Sequence, residues 1–207
     1  MQLAKIESCS AITVEKYLAL ERQSAERNEY LDGQVYAMAG ESMEHGEIST
    51  NIVGQLYTQL KGKPCRVRSK DTKVLSGPFP KSKNFAKGLY SYPDVLVACG
   101  DLHFHDEHHD VLLNPVVIIE ILSPTTEAFD RGEKFWRYRS YIESLQDYVL
   151  ISQTQPHIEH FTRHNSKQWL LSATITDNDE NVYLSSIDCV LNLREVYDRV
   201  IFASLLS

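Results

Sequence analysis

Pro115-Val116-Val117-Ile118-Ile119-Glu120-Ile121-Leu122 constrains the fold more than any other stretch of this 207-residue chain. It is a short aliphatic run, rich in β-branched residues, and it reads as a strand. Alternation sends Val116, Ile118, Glu120 and Leu122 to one face, and Val117, Ile119 and Ile121 to the other. One carboxylate therefore stands inside an apolar strand, where its burial is costly unless it is paired or binds a cation. Tyr92-Pro93-Asp94-Val95-Leu96-Val97-Ala98 repeats the pattern, with 25 residues between Asp94 and Glu120. Two such acids near the same end of neighbouring strands could hold one Mg²⁺, with water and phosphate completing its coordination. Taken singly, Asp94 reads as a strand-start residue accepting backbone hydrogen bonds, and Glu120 as half of a salt bridge.

The rest of the chain alternates helical and extended patterns. Thr13 precedes a helical stretch running to Ala25. Glu29-Tyr30-Leu31, Asp32-Gly33 and Gln34-Val35-Tyr36-Ala37-Met38 read as a hairpin, because Asp-Gly suits both turn positions with positive φ. Ser42 or Glu44 opens a helix with Ile48, Ile52, Val53, Leu56, Tyr57 and Leu60 along one face. A strand is expected over Cys65–Leu75, and a helix over Asp130–Ile142 with Asp130 as its cap and Glu133 three residues on. Tyr148–Ser152, Ile158–Arg163 and Trp169–Thr174 resemble a meander, and Leu193–Val200 closes as helix or turn. No Pro/Gly/Ser linker divides the chain. The expectation is one α/β domain over 1–207, with its core at about 13–202.

Charge is segregated. The formal total is -7, which argues against a protein that coats nucleic acid indiscriminately. Yet Lys61, Lys63, Arg66, Arg68, Lys70, Lys73, Lys81, Lys83 and Lys87 share their segment with a single acid, Asp71. That segment is +8, and the other 180 residues sum to -15. With Phe79, Phe85 and Tyr90 interleaved it is a candidate phosphate-contacting surface; the alternative is a solvated loop that keeps an edge strand soluble. Cys9, Cys65, Cys99 and Cys189 are scattered without a CxxC pair and read as reduced thiols. No apolar run approaches the ~18 residues of a membrane span. Lys5, Glu7, Glu15 and Lys16 leave no apolar signal-peptide core near the N-terminus, so a cytoplasmic protein is expected.

Pro93-Asp94 and Glu120-x-Leu122 are followed by Ser123-Pro124-Thr125-Thr126-Glu127 and by Asp130-Arg131-Gly132-Glu133-Lys134-Phe135-x-x-Tyr138. Together they resemble the Uma restriction-endonuclease family of the PD-(D/E)xK nuclease superfamily. The resemblance extends from about Val14 to Phe202, through Glu29-Tyr30-Leu31-Asp32-Gly33 and Leu193-Arg194-Glu195-Val196-Tyr197. It implies a restriction-endonuclease-like core, a mixed β-sheet flanked by helices, and metal-dependent hydrolysis of phosphodiester bonds in DNA. Asp94, Glu120 and a backbone carbonyl near Ile121 would hold Mg²⁺, with Mn²⁺ as a substitute. Lys61, Lys63, Arg66, Arg68, Lys70 and Lys73 would face DNA.

One position departs from the superfamily pattern. The lysine expected two residues after Glu120 is replaced by Leu122, which cannot act on water. The resemblance transfers that role to Lys134 on the following helix, with Lys73 as the substitute, and adds Glu29 from the first hairpin. A surface position for Lys134 would favour a binding domain without catalysis; a position inside the Asp94–Glu120 cleft would favour an enzyme. His45 is a further candidate for the same cleft. His103-Phe104-His105-Asp106-Glu107-His108-His109 supplies the competing reading, a metal-binding module using the i, i+4 pair His105 and His109. A homodimer is expected because symmetric double-strand cutting needs two sites.

Overall fold

The computed structural model describes residues 4–5, 11–38 and 40–202. Glu7 and Cys9 lie outside the described residues. The strands are β1 (Ala4–Lys5), β2 (Asn28–Leu31), β3 (Gln34–Ala37), β4 (Cys65–Ser69), β5 (Lys73–Ser76), β6 (Leu89–Ser91) and β7 (Val95–Cys99). They continue as β8 (Val111–Leu112), β9 (Val117–Leu122), β10 (Asp147–Ser152), β11 (Ile158–Arg163), β12 (Trp169–Ile175), β13 (Asn181–Leu184) and β14 (Cys189–Asn192). The helices are α1 (Val14–Glu21), α2 (Met43–Leu60), α3 (Glu127–Phe129), α4 (Phe135–Tyr141) and α5 (Leu193–Val196), with a π-helical turn at Asp130–Lys134 joining α3 to α4.

Two six-stranded sheets result, one in the order β1-β3-β2-β6-β5-β8 and the other β12-β11-β10-β9-β7-β4. In the second, β9 runs parallel to β10 and antiparallel to β7, so the sheet is mixed. The alternation read from the sequence sets its two faces. Val117, Ile119 and Ile121 pack with Ile48, Ile52 and Leu56 of α2. Ile118 and Leu122 pack with Phe135 and Tyr138 of α4 and with Val74 of β5. All six residues of β9 are buried. Each buried Val, Ile or Leu side chain contributes roughly 1.5–3 kcal/mol, so the strand's apolar neighbours offset the several kcal/mol that a desolvated carboxylate costs.

The Asp-Gly hairpin forms as expected, with φ of 46° at Asp32 and 93° at Gly33. The Asp32 carboxylate accepts from Gly88 N, which ties the turn to the neighbouring β6 strand and fixes Glu29 on β2. Gly33 also passes close to the chain before α1: a Cβ there would stand 2.8 Å from Ala11 Cβ.

Several local expectations are corrected. The α1 helix stops at Glu21. Tyr57 is 63% exposed, because the buried face of α2 follows the i+4 row Ile48, Ile52, Leu56 and Leu60. The expected Cys65–Leu75 strand is two strands in different sheets, broken by a turn in which Thr72 N donates to Ser69 O. Pro93 lacks an N–H and Asp94 precedes β7 instead of lying within it. Asp130 is not a helix cap; the helical segment starts before it, where Ser123 Oγ accepts from Thr126 N. The short β13–β14 hairpin was not evident in the sequence.

The reading of Cys65 and Cys99 as free thiols is also overturned. They face each other in the antiparallel register of β4 and β7, with Cα atoms 3.9 Å apart, and form a disulfide. Their separation of 34 residues conceals a contact that only the strand register creates. Cys189 is a buried free thiol, as expected. Among the described residues no helix is long and apolar enough to cross a membrane.

Candidate active site

Asp94 and Glu120 meet where β7 and β9 begin and end alongside each other. Asp94 Oδ2 accepts from Ile121 N at 2.7 Å, and Asp94 N lies 3.4 Å from Glu120 Oε2. Each acid is thus anchored to the other's backbone neighbourhood. Glu120 Oε1 accepts from the Tyr138 hydroxyl at 3.1 Å, while Ser91 Oγ lies 2.9 Å from the same hydroxyl. Tyr138 lies on α4 and Ser91 on β6, so both layers of the fold converge on this carboxylate.

Lys134 points into the cleft. Its Nζ is 3.2 Å from Glu120 Oε1, 3.2 Å from Asp130 Oδ1 and 3.6 Å from Glu29 Oε1, and the residue is 6% exposed. A surface position for Lys134 is therefore excluded. The π-helical turn carries both Asp130 and Lys134, and such turns recur at functional sites. Tyr148 reinforces that turn by donating from its hydroxyl to Asp130 O at 2.9 Å. Glu29 Oε1 accepts from Tyr92 N at 3.1 Å, so the hairpin acid faces inward.

Burial first, and then the nearby Asp130, Asp94 and Glu29 charges, push the Glu120 carboxyl well above its ordinary range; Lys134 opposes them. Glu29 is also raised, chiefly by burial, against the pull of Lys134 and the Tyr92 N–H. Burial alone would lower Lys134, but Glu120, Glu29 and Asp130 outweigh it and hold the ammonium charged well above the usual lysine range. Burial likewise keeps the Tyr138 phenol protonated, as a donor. Glu29, Glu120 and Asp130 surround the single Lys134 ammonium, with Asp94 beside Glu120, so this buried cluster retains protons or attracts a cation.

A pocket of about 260 Å³ opens over these groups. Arg27, Lys70, Ser42, Ser123 and Thr125 contribute to its lining, together with the acids and Lys134. The candidate ligands, the Asp94 and Glu120 carboxylates and the Ile121 carbonyl, are all oxygen donors, appropriate for a hard cation. Among the described residues no group of three or more His, Cys, Asp or Glu side chains is arranged to hold a metal ion by itself. A pair of carboxylates with a main-chain carbonyl nevertheless fits Mg²⁺, which commonly takes one or two carboxylates and fills its remaining positions with water and phosphate. The donor set fits in type and in charge.

The basic segment does not act as one surface. Lys61, Arg66 and Arg68 are exposed, the two arginines on the edge strand β4. Lys63 pairs with Asp188 at 3.4 Å. Lys70 lines the pocket and pairs with Glu41. Lys73 is corrected: it is 2% exposed, with Nζ 5.3 Å and 5.4 Å from the Tyr17 and Tyr92 ring centres and 3.8 Å from Asp110. It belongs to the core and serves neither DNA contact nor substitution for Lys134. Tyr90 is likewise a core residue.

The histidine loop is held by Arg22, which pairs with Asp106 at 2.7 Å and Asp110 at 2.8 Å. His105 stacks on Phe79 and His109 packs on Phe104, so the i, i+4 pair is divided between different aromatic partners. That arrangement removes the support for a histidine metal module.

Two residues of this site were missed or undervalued in the sequence. Asp130 reads as a helix cap in the sequence, although its i, i+4 spacing from Lys134 is a usable signal. Tyr138, four residues beyond Lys134 on the same helical face, closes the Lys134-Phe135-x-x-Tyr138 pattern of the family resemblance, which gives it no role of its own.

Residues 14–193 match the family model Uma2, described as "Putative restriction endonuclease". Two proteins from Synechocystis sp. (strain ATCC 27184 / PCC 6803 / Kazusa) are similar. "Uncharacterized protein slr1290" is 34% identical over 160 residues, which cover 77% of this chain and 78% of that one. "Uncharacterized protein sll1609" is 30% identical over 169 residues, covering 82% and 90%. The fold is similar to a crystal structure of "a putative nuclease belonging to DUF820" from Anabaena variabilis ATCC 29413. The TM-score is 0.71 with 17% identity, over 92% of this chain and 99% of the other.

Proposed function

The chain belongs to the Uma2 family, and we propose that it is an endonuclease that hydrolyses phosphodiester bonds in DNA with a divalent cation in this pocket. The observation that carries the reading is Lys134 Nζ at 3.2 Å from Glu120 Oε1, inside a cleft that also holds Asp94. Leu122 cannot supply the charge that the superfamily places two residues after the glutamate; Lys134 supplies it from the neighbouring helix.

Asp94, Glu120 and the Ile121 carbonyl would hold Mg²⁺, or Mn²⁺ in its place. When bound, the cation would make water more acidic and offset negative charge on the scissile phosphate. Hydrolysis forms one bond from a water oxygen to phosphorus and breaks one to a bridging oxygen, leaving a phosphate monoester and a hydroxyl. Lys134 keeps its proton at Nζ and directs positive charge at the phosphate oxygens. Tyr138 holds Glu120 Oε1 in place by donating to it. Glu29 and Asp130 restrain Lys134 from two further sides. A second copy of the chain would supply the second pocket that symmetric double-strand cutting requires.

The deciding experiment incubates the protein with duplex, single-stranded and branched DNA in Mg²⁺ or Mn²⁺, with Asp94→Ala as control. Cation-dependent strand scission that is lost in Asp94→Ala is expected. Equal scission by the two proteins sinks the assignment.

The split basic segment yields a separate prediction. Removing a lysine or arginine that contacts one phosphate lowers the slope of log affinity against log salt by about 0.9. Arg66→Ala and Arg68→Ala should each lower it by about that amount, whereas Lys73→Met should leave it unchanged. Fluorescence anisotropy across a salt series, in an Asp94→Ala background, measures the slopes. A change in slope for Lys73→Met as large as for the two arginines contradicts the division drawn from burial.

A further inference from the structure

We infer that His45 is a positioning residue for Asp94: it fixes one carboxylate oxygen so that the other stays turned toward the proposed cation site. The inference rests on the reading of Asp94 and Glu120 as cation ligands and adds a residue to it. Asp94 Oδ2 receives two neighbours, Ile121 N at 2.7 Å and His45 Nε2 at 3.2 Å. A carboxylate held by the main-chain N–H alone can still swing about its side-chain bonds. A second contact on the same oxygen, from a different element, removes that freedom and leaves Oδ1 for another ligand.

His45 is suited to this because its own position is fixed. It lies in the first turn of α2, where Ser42 Oγ accepts from His45 N at 3.3 Å. The helix beyond it is anchored through Ile48, Ile52 and Leu56, all fully buried. On the other side of the ring, Nδ1 lies 3.4 Å from Glu41 Oε2, and Glu41 in turn pairs with Lys70. His45 thus stands between Asp94 and Glu41, whose partner Lys70 lines the pocket, with Nδ1 in ionic reach of Glu41 and without a hydrogen bond to it. Partners that orient a metal ligand typically account for 10–100-fold in metal affinity or activity.

The test measures Mn²⁺ binding to the metal-free protein by calorimetry, alongside thermal unfolding, for wild type, His45→Ala, His45→Gln and Asp94→Asn. The amide nitrogen of glutamine can replace Nε2 as a donor to Asp94. His45→Ala is expected to bind Mn²⁺ at least tenfold more weakly, and His45→Gln within about threefold of wild type. A merely structural role would lower the unfolding temperature of His45→Ala without changing affinity in the folded protein. Wild-type affinity in His45→Ala, or equal losses in the alanine and glutamine variants, overturns the inference. If that happens while Asp94→Asn loses binding, the cation site itself stands. If wild type binds no Mn²⁺, the cation site and this inference fall together.

Discussion

Lys134→Met is expected to lower cleavage by about 10²–10³-fold, the scale on which loss of one charge-stabilising contact to a transition state acts. It should also destabilise the protein, and the two effects have different origins. Lys134 is the ammonium among Glu29, Glu120 and Asp130, all of them at most 4% exposed. Removing one partner of a buried ionic group costs roughly 3–5 kcal/mol, because the remaining charge stays desolvated. For a chain of this size each kcal/mol moves the unfolding temperature by about 2–4 °C, so a fall of roughly 10 °C is expected at neutral pH. Acid should reduce that fall, because protonation of Glu29 and Glu120 removes the unpaired charges. Urea unfolding at pH 5 and pH 8, with cleavage measured below the unfolding transition, separates the contributions. Cleavage within threefold of wild type by folded Lys134→Met would reduce Lys134 to a counter-ion for the acids.

The sequence exposed the strand that bears Glu120, because alternation and apolar content act locally and the chain obeys both. It also exposed the Asp32-Gly33 turn and the i+4 face of α2, each of which depends on residues only a few positions apart. It concealed whatever depended on strand register. Cys65 and Cys99 become partners only when β4 is aligned against β7. Lys73 looks like one more cation in a basic run, yet β5 belongs to the other sheet and carries it between Tyr17 and Tyr92. The candidate site shows the same division. Asp94, Glu120, Glu29 and Lys134 were legible through a family resemblance, and periodicity could not have joined the last two to the first pair. Asp130 reads as a cap because an acid before a helical pattern ordinarily caps it. Here the helical segment starts earlier, at Glu127, and Asp130 is left within the π turn facing Lys134.

Glu120→Gln should abolish stabilisation by Mg²⁺ or Mn²⁺ while making the metal-free protein less sensitive to alkali. A ligand at a hundred times its dissociation constant stabilises a protein by about 2.7 kcal/mol, or roughly 5–10 °C here. Wild type should show a shift of that size and Glu120→Gln little or none, since the amide oxygen carries no charge to the cation. The pH dependence follows from Glu29 and Glu120, whose carboxyls are raised in the folded state, in both cases first by burial. The folded protein holds their protons to higher pH than the unfolded chain does. Their contribution to stability is therefore complete below the ordinary carboxylate range and is lost as pH rises through the raised folded values. Lys134 has the same sign at the other end of the scale: its contribution is complete below the ordinary lysine range and fades only above it. Replacing Glu120 by glutamine removes one of the two raised carboxyls, so metal-free stability should fall less steeply as pH rises above the ordinary carboxylate range. Adding the cation to wild type should flatten the same slope, because a bound divalent charge supplies what the protons supply in acid. Thermal unfolding of both proteins from that range upward, with and without Mn²⁺, tests the two halves together. An equal Mn²⁺ shift in Glu120→Gln would place the cation away from Glu120, and parallel pH slopes would mean that Glu120 is not the acid that retains the proton.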